Sequence, residues 1–161
     1  MPKKTKKIAV FDIDGTIFRS SLLIELVESL INDGIFPKSS RKDFEKEFRD
    51  WLDRKGEYED YIMAVVKTFV KNIKGISHKK FMKNVDRVVG FHQDRVYRYT
   101  RDMISDLRKK SYYIIAISHS PIDIVGSFAA SFGFDDFYGK VYELDTNGNF
   151  TGNVLDHANK A

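Results

Sequence analysis

The stretch Lys7-Ile8-Ala9-Val10-Phe11-Asp12-Ile13-Asp14-Gly15-Thr16 decides how the chain is read. Ile8 to Phe11 is a short, continuously apolar run with a β-branched bias, the pattern of a strand buried in a parallel sheet. It stops at two aspartates one residue apart, and Gly15 lets the backbone turn tightly behind them. Open α/β sheets bind ligands at the carboxyl ends of their strands, so Asp12 and Asp14 form a candidate site by position alone. One carboxylate can attack phosphorus and hold a phosphoryl group covalently. A second nearby can protonate the leaving oxygen and then activate water. The alternative is that the pair merely closes the strand in an Asx-type turn. A calcium-loop reading fails, because the third acidic position and the closing Glu are absent.

Beyond Thr16 the hydrophobic period changes from strand to helix. Leu23, Val27, Leu30 and Ile31 share one helical face, with Ser20 or Ser21 available as cap and Gly34 as stop. Phe44, Phe48, Trp51 and Leu52 make a second stripe, entered through the capping-box-like Ser40-x-x-Asp43. Tyr58, Tyr61, Ile62, Val65, Val66, Phe69, Val70 and Ile73 recur by threes and fours, and Phe81, Val85, Val88 and Val89 repeat the pattern between Ser77 and Gly90. No strand interrupts residues 19–92, and their aromatic and Met content reads as bundle core rather than a ligand box.

From Gln93 a helix carrying Val96, Thr100, Met103, Ile104 and Leu107 leads to a second buried strand, Tyr112 to Ile117. Ser118-His119-Ser120-Pro121 closes that strand, with Ser120 expected as helix cap, Pro121 at the first helical position and Asp123 completing a capping box. Ile122, Val125, Ala129 and Phe132 then give a helix stopped by Gly133. Val141 to Leu144 and Phe150-Thr151 flank Asn147-Gly148, a hairpin signal. The expected fold class is α/β: a doubly wound parallel Rossmann-like sheet from residues 1–18 and 93–161, with an inserted α-helical bundle cap at 19–92.

Composition narrows the function. Lys and Arg outnumber Asp and Glu by 27 to 23 in 161 residues, and much of that excess lies in the leader Met1 to Lys7. Such a leader reads as a solvated tail, and no nucleic-acid-binding signature accompanies it, so nucleic acid is not an expected partner. With no cysteine, thiolate metal sites, thiol nucleophiles and disulfides are excluded, which suits the cytoplasm. Leu22 to Ile31 is interrupted by Glu25 and Glu28 and is far shorter than the roughly 20 residues of a membrane span, so no membrane association is expected.

Phe11-Asp12-Ile13-Asp14-Gly15-Thr16 resembles the first motif of the haloacid-dehalogenase-like phosphatases, and the helical insertion behind it resembles their first-position cap. Ile115-Ala116-Ile117-Ser118 is similar to their second motif, and Asn159-Lys160-Ala161 to their third. The phosphoserine-phosphatase-like branch offers the nearest phrasing, in its helical cap and in Ser118-x-Ser120-Pro121. The resemblance implies a small phosphomonoester substrate, hydrolysed with Mg2+ through an aspartyl-phosphate. Asp12 would be nucleophile and metal ligand, and Asp14 general acid and base, its carbonyl also on the metal. Ser118, with the backbone at Ile13 and His119, would hold phosphate oxygens, and Lys160 would neutralise charge between Asp12 and the phosphate. His119 and His157 as side chains read as neighbouring or surface histidines rather than further acids.

Two departures from the family pattern bear on function. The fourth motif, an acidic pair after another strand, is absent, which leaves the Ile8 to Phe11 strand with an expected bare edge. A truncated chain, a complementing chain or self-association along that edge, or a degenerate binding or assembly module are the alternatives. Ser21 stands where phosphoserine phosphatases place a Glu nine residues after the nucleophile, which disfavours phosphoserine as substrate. Arg19, Arg41, Lys42 and Arg49 are candidates to meet an acidic substrate, against the plainer reading of a solvated helical surface.

Overall fold

The computed structural model describes residues 7–155. Its elements run β1 (Ile8–Asp12), α1 (Leu22–Asn32), a 3-10 turn (Lys38–Asp43), α2 (Glu45–Leu52), α3 (Tyr58–Ile73), α4 (His78–His92), α5 (Arg98–Lys109), β2 (Tyr113–Pro121), α6 (Ile122–Phe132), β3 (Asp136–Leu144) and β4 (Phe150–Leu155). The strand order is β1-β2-β3-β4, with β1, β2 and the first half of β3 parallel and β4 antiparallel to the second half of β3. This is the α/β sheet expected from two strand-to-helix units. The described residues divide into two compact units, one of residues 7–22 with Val89–Lys140 and one of Leu23–Val88 with residues 141–155.

In the first unit β1 and β2 run in register from Ile8↔Tyr113 to Asp12↔Ile117. The strand period of two sorts their side chains. Phe11, Ile13, Ile114, Ala116, Ser118 and Ser120 are buried, whereas Ile8 and Val10 on the alternate positions are each 57% exposed. Among the described residues β1 pairs with β2 alone. Phe18 and Phe128, both fully buried, meet edge to face with ring centroids 5.7 Å apart. Full burial of such side chains stabilises the unit by about 1.5–3 kcal/mol each.

The second unit is built around the helical stripes. Leu26, Val27, Leu30, Phe36, Val65, Phe69, Ile73, Phe81 and Val85 are all fully buried. Phe69 touches the rings of Phe36, Phe81 and Tyr142, and Phe81 meets Phe150 of β4, so the hairpin packs on the same aromatic cluster. The hairpin turn is held by Asp145, whose carboxylate accepts the N–H groups of Asn147 and Asn149, both at 2.9 Å. Those bonds, led by the one from Asn149, hold the Asp145 carboxyl below its ordinary range. No described helix is long and apolar enough to cross a membrane.

Three local expectations are corrected. Ser40 makes no capping box: its hydroxyl bonds the Asn72 side chain at 3.3 Å, the segment forms a 3-10 turn, and α2 begins only at Glu45. The α4 helix runs through Gly90 to His92, because Gly90 keeps a helical neighbourhood and nothing lies near enough to break it. Ser120 caps nothing, since β2 continues through Ser118-His119-Ser120 and stops at Pro121, which has no N–H to extend the ladder.

Gly139 of β3 sits where a Cβ would come 2.7 Å from the Ile122 Cα and 3.0 Å from the Ser120 carbonyl oxygen, both rigid backbone. Gly139→Ala is therefore expected to cost about 1–3 kcal/mol through overpacking. Gly90→Ala, with nothing within 4 Å, should be neutral or stabilise by up to about 1 kcal/mol. Urea unfolding midpoints of the two variants against the parent chain check both.

Candidate active site

The site grows from the turn that follows β1. Gly15 adopts φ +77°, a region closed to most side chains, and this lets the N–H groups of Thr16, Ile17 and Phe18 converge on the Ile13 carbonyl at 2.9–3.2 Å. The turn is tied down from α5 and the segment before it. Thr100 donates its hydroxyl to the Thr16 carbonyl at 2.8 Å, and the N–H of Tyr97 bonds the Ile17 carbonyl at 2.9 Å. The backbone carrying both aspartates is thus fixed by bonds on either side of it.

The two carboxylates occupy different environments. Asp12 is exposed, and one of its oxygens accepts the Thr16 hydroxyl at 2.7 Å. Asp14 is half-buried and accepts three hydrogen bonds. Its Oδ1 accepts the N–H of Leu22, the first residue of α1, at 2.5 Å, and its Oδ2 accepts the hydroxyls of Ser118 at 2.5 Å and Ser120 at 3.1 Å. The Ser120 N–H in turn bonds Ser118 Oγ at 2.9 Å. Burial pushes the Asp14 carboxyl above its ordinary 3.8; the bonds from Ser118, Leu22 and Ser120 oppose that rise, and the charge of Asp12 adds to it. One exposed carboxylate beside one whose pKa burial raises is an arrangement suited to nucleophilic attack by the first and proton transfer by the second.

The sequence-predicted residues Asp12, Ile13, Asp14, Ser118 and His119 all lie on this turn or on the adjoining end of β2. Ile13 is fully buried and contributes its backbone, Ser118 is buried, and the His119 side chain is exposed. Lys160 and His157 lie outside the described residues. Ser21 is buried, and Arg19 is exposed with its guanidinium 5.9 Å from the Tyr97 ring. In the other unit Arg41 of the 3-10 turn pairs with Glu28 of α1, and Arg49 with Glu45 one turn away on α2, so both cations have carboxylate partners there. Three contributors escaped sequence reading: the Thr16 hydroxyl, the Leu22 amide and the Ser120 hydroxyl. Ser120 was open to detection, because Ser118-x-Ser120 on a strand puts both hydroxyls on one face.

Among the described residues no three His, Cys, Asp or Glu side chains group as a metal cluster. Asp12 and the Asp14 carbonyl nevertheless offer the hard oxygen donors that Mg2+ takes, with water completing its coordination.

The profile of the haloacid dehalogenase-like hydrolases matches residues 6–157, and the chain belongs to that family. Its fold is similar to that of a phosphoserine phosphatase solved as a phospho-aspartyl intermediate analogue (TM-score 0.56, 18% identity, covering 94% of this chain and 63% of that one). It is also similar to a phosphoserine phosphatase from T. onnurineus (TM-score 0.54, 22% identity, 94% and 65%) and to a protein of unknown function from Bordetella pertussis Tohama I (TM-score 0.70, 12% identity, 94% and 67%). The chain thus spans less than two thirds of the phosphoserine phosphatases it resembles. No curated protein matches it.

The Asp14 environment has a consequence for stability. A carboxyl whose folded pKa is raised binds its proton more tightly folded than unfolded, so its contribution is full below 3.8 and is lost as pH rises through the folded value. Asp14→Asn removes the buried charge, and is expected to melt at higher temperature than the parent at pH 7. The advantage should shrink as pH falls toward 4. Paired thermal melts across that interval check it; equal melting temperatures at pH 7 would contradict the burial of a costly charge.

Proposed function

We propose that the chain carries the nucleophile half of a phosphatase site that hydrolyses a small phosphomonoester through an aspartyl-phosphate. The observation that supports this most is the division of labour at the end of β1: an exposed Asp12 steadied by Thr16, beside a half-buried Asp14 whose proton is favoured by burial. A carboxylate oxygen of Asp12 attacks phosphorus, the bond from phosphorus to the leaving oxygen breaks, and Asp14 gives that oxygen its proton. A water oxygen then attacks the same phosphorus while Asp14 takes back a proton, releasing inorganic phosphate and restoring Asp12. Ser118 and the backbone at Ile13 and His119 would receive the phosphoryl oxygens, and Lys160 would balance their charge.

Mg2+ would be held by the Asp12 carboxylate and the Asp14 carbonyl, where it lowers the repulsion between an anionic nucleophile and an anionic substrate. The helices of residues 19–92 would choose the substrate, and Ser21 in place of a Glu argues against phosphoserine. The absence of cysteine and of any membrane-length described helix supports a cytoplasmic setting.

The β1 edge away from β2, which no described strand pairs, favours a second reading in which the unit pairs with another polypeptide strand as a binding or assembly module. Calorimetry separates the two: a module engages a macromolecule, while neither Mg2+ nor phosphate analogues stabilise it. For the phosphatase reading, the chain with Mg2+ is expected to release phosphate from members of a phosphomonoester panel. Asp12→Asn should abolish that release, as should chelation of the metal; a fully active Asp12→Asn chain would sink the assignment.

A further inference from the structure

Ser118 has one hydroxyl proton, and in the structure it goes to Oδ2 of Asp14. On the phosphatase reading, on which this inference rests, the same hydroxyl is needed by a phosphoryl oxygen. It cannot donate to both. If Asp14 relied on Ser118 alone, arrival of the phosphoryl group would free the carboxyl at the step where its aim decides proton transfer.

Ser120 supplies what that conflict requires. It is 3% exposed, its hydroxyl donates to the same Oδ2 at 3.1 Å, and its N–H donates to Ser118 Oγ at 2.9 Å. The helix that follows makes no demand on this hydroxyl, since α6 has no side-chain cap bond. We propose that Ser120 is the positioning residue of the site: its hydroxyl keeps Asp14 in place while Ser118 turns from Asp14 to the phosphoryl group, and its N–H holds Ser118 Oγ steady through that turn.

A count of lone pairs fits this role. With both serines donating, Oδ2 has its two acceptor positions filled, while among the described residues Oδ1 accepts the Leu22 N–H alone. Oδ1 is therefore the oxygen with room for a further partner. When Ser118 leaves, the Leu22 amide on one oxygen and the Ser120 hydroxyl on the other still fix the plane of the carboxyl. Ser120 itself touches no substrate.

Isotope-labelled chain gives a test that needs neither turnover nor phosphate, read from the Leu22 amide proton and the Asp14 carboxyl carbon. Ser118→Ala imitates the departure of that hydroxyl, and should leave both signals close to those of the parent. Adding Ser120→Ala should move both; signals that coincide in the single and double variants would overturn the proposal. Kinetics supply the second arm. With Mg2+, Ser120→Ala should lower kcat on an alkyl phosphate by about 10- to 100-fold, and less on an activated aryl phosphate that leaves without a proton, with KM unchanged. Ser120→Cys, which keeps the shape and a weaker donor, should fall between, and equal losses on both substrate types would contradict positioning of the acid. If the parent chain hydrolyses no phosphomonoester, the phosphatase reading fails while the spectra still decide the role of Ser120.

Discussion

A half-buried carboxyl with three hydrogen-bond donors is the constraint around which the carboxyl end of β1 and β2 is arranged. Asp14 draws its partners from two places far apart in sequence, the start of α1 and the end of β2. An ionised carboxylate loses much hydration when it is covered, and fixed donors offset that loss only if they stay in register with it. The parallel pairing of β1 with β2 provides the register, because Asp12 lies opposite Ile117 and the next buried positions of β2 are Ser118 and Ser120. The turn at Gly15 provides the rest, by bringing Leu22 back toward the carboxyl that precedes it. Holding the site and holding the fold are here the same set of bonds.

The two aspartates differ in chemistry although they lie on the same turn. Asp12 faces solvent, and among the described residues the Thr16 hydroxyl orients it through one oxygen. Asp14 faces the covered side, where desolvation favours the neutral acid while its donors favour the anion, so it is poised between the two states. A pair separated in this way can divide nucleophilic and proton-transfer roles without any other titratable group.

The sheet carries the opposite kind of feature at its β1 edge. Among the described residues no strand pairs with that edge, and folded proteins normally cover or blunt such an edge. The two phosphoserine phosphatases compared above are about half as long again as this chain.

Much of this protein follows from local pattern. The alternation of threes and fours from Tyr58 to Ile73 matches α3 residue for residue, since a helix of that length is set by its own apolar stripe. Likewise Ile8 to Asp14 announces a strand that ends in two carboxylates, and Asn147-Gly148 announces the hairpin, because turn and strand chemistry act over a few residues. What local pattern could not reach was the use made of hydroxyls. Ser40 and Ser120 each stand three residues before an aspartate and read as caps, yet one bonds Asn72 and the other Asp14. A serine takes whichever acceptor geometry brings near, and at Ser120 that acceptor lies 106 residues away, chosen by strand register alone. The sequence by itself determined most of the helices, the strand β1 and the hairpin, and named the two aspartates; only the tertiary structure decided the parallel half of β3, which aspartate is exposed, which is buried, and which hydroxyls hold it, because sheet pairing, burial and long-range hydrogen bonds exist only once the strands have paired.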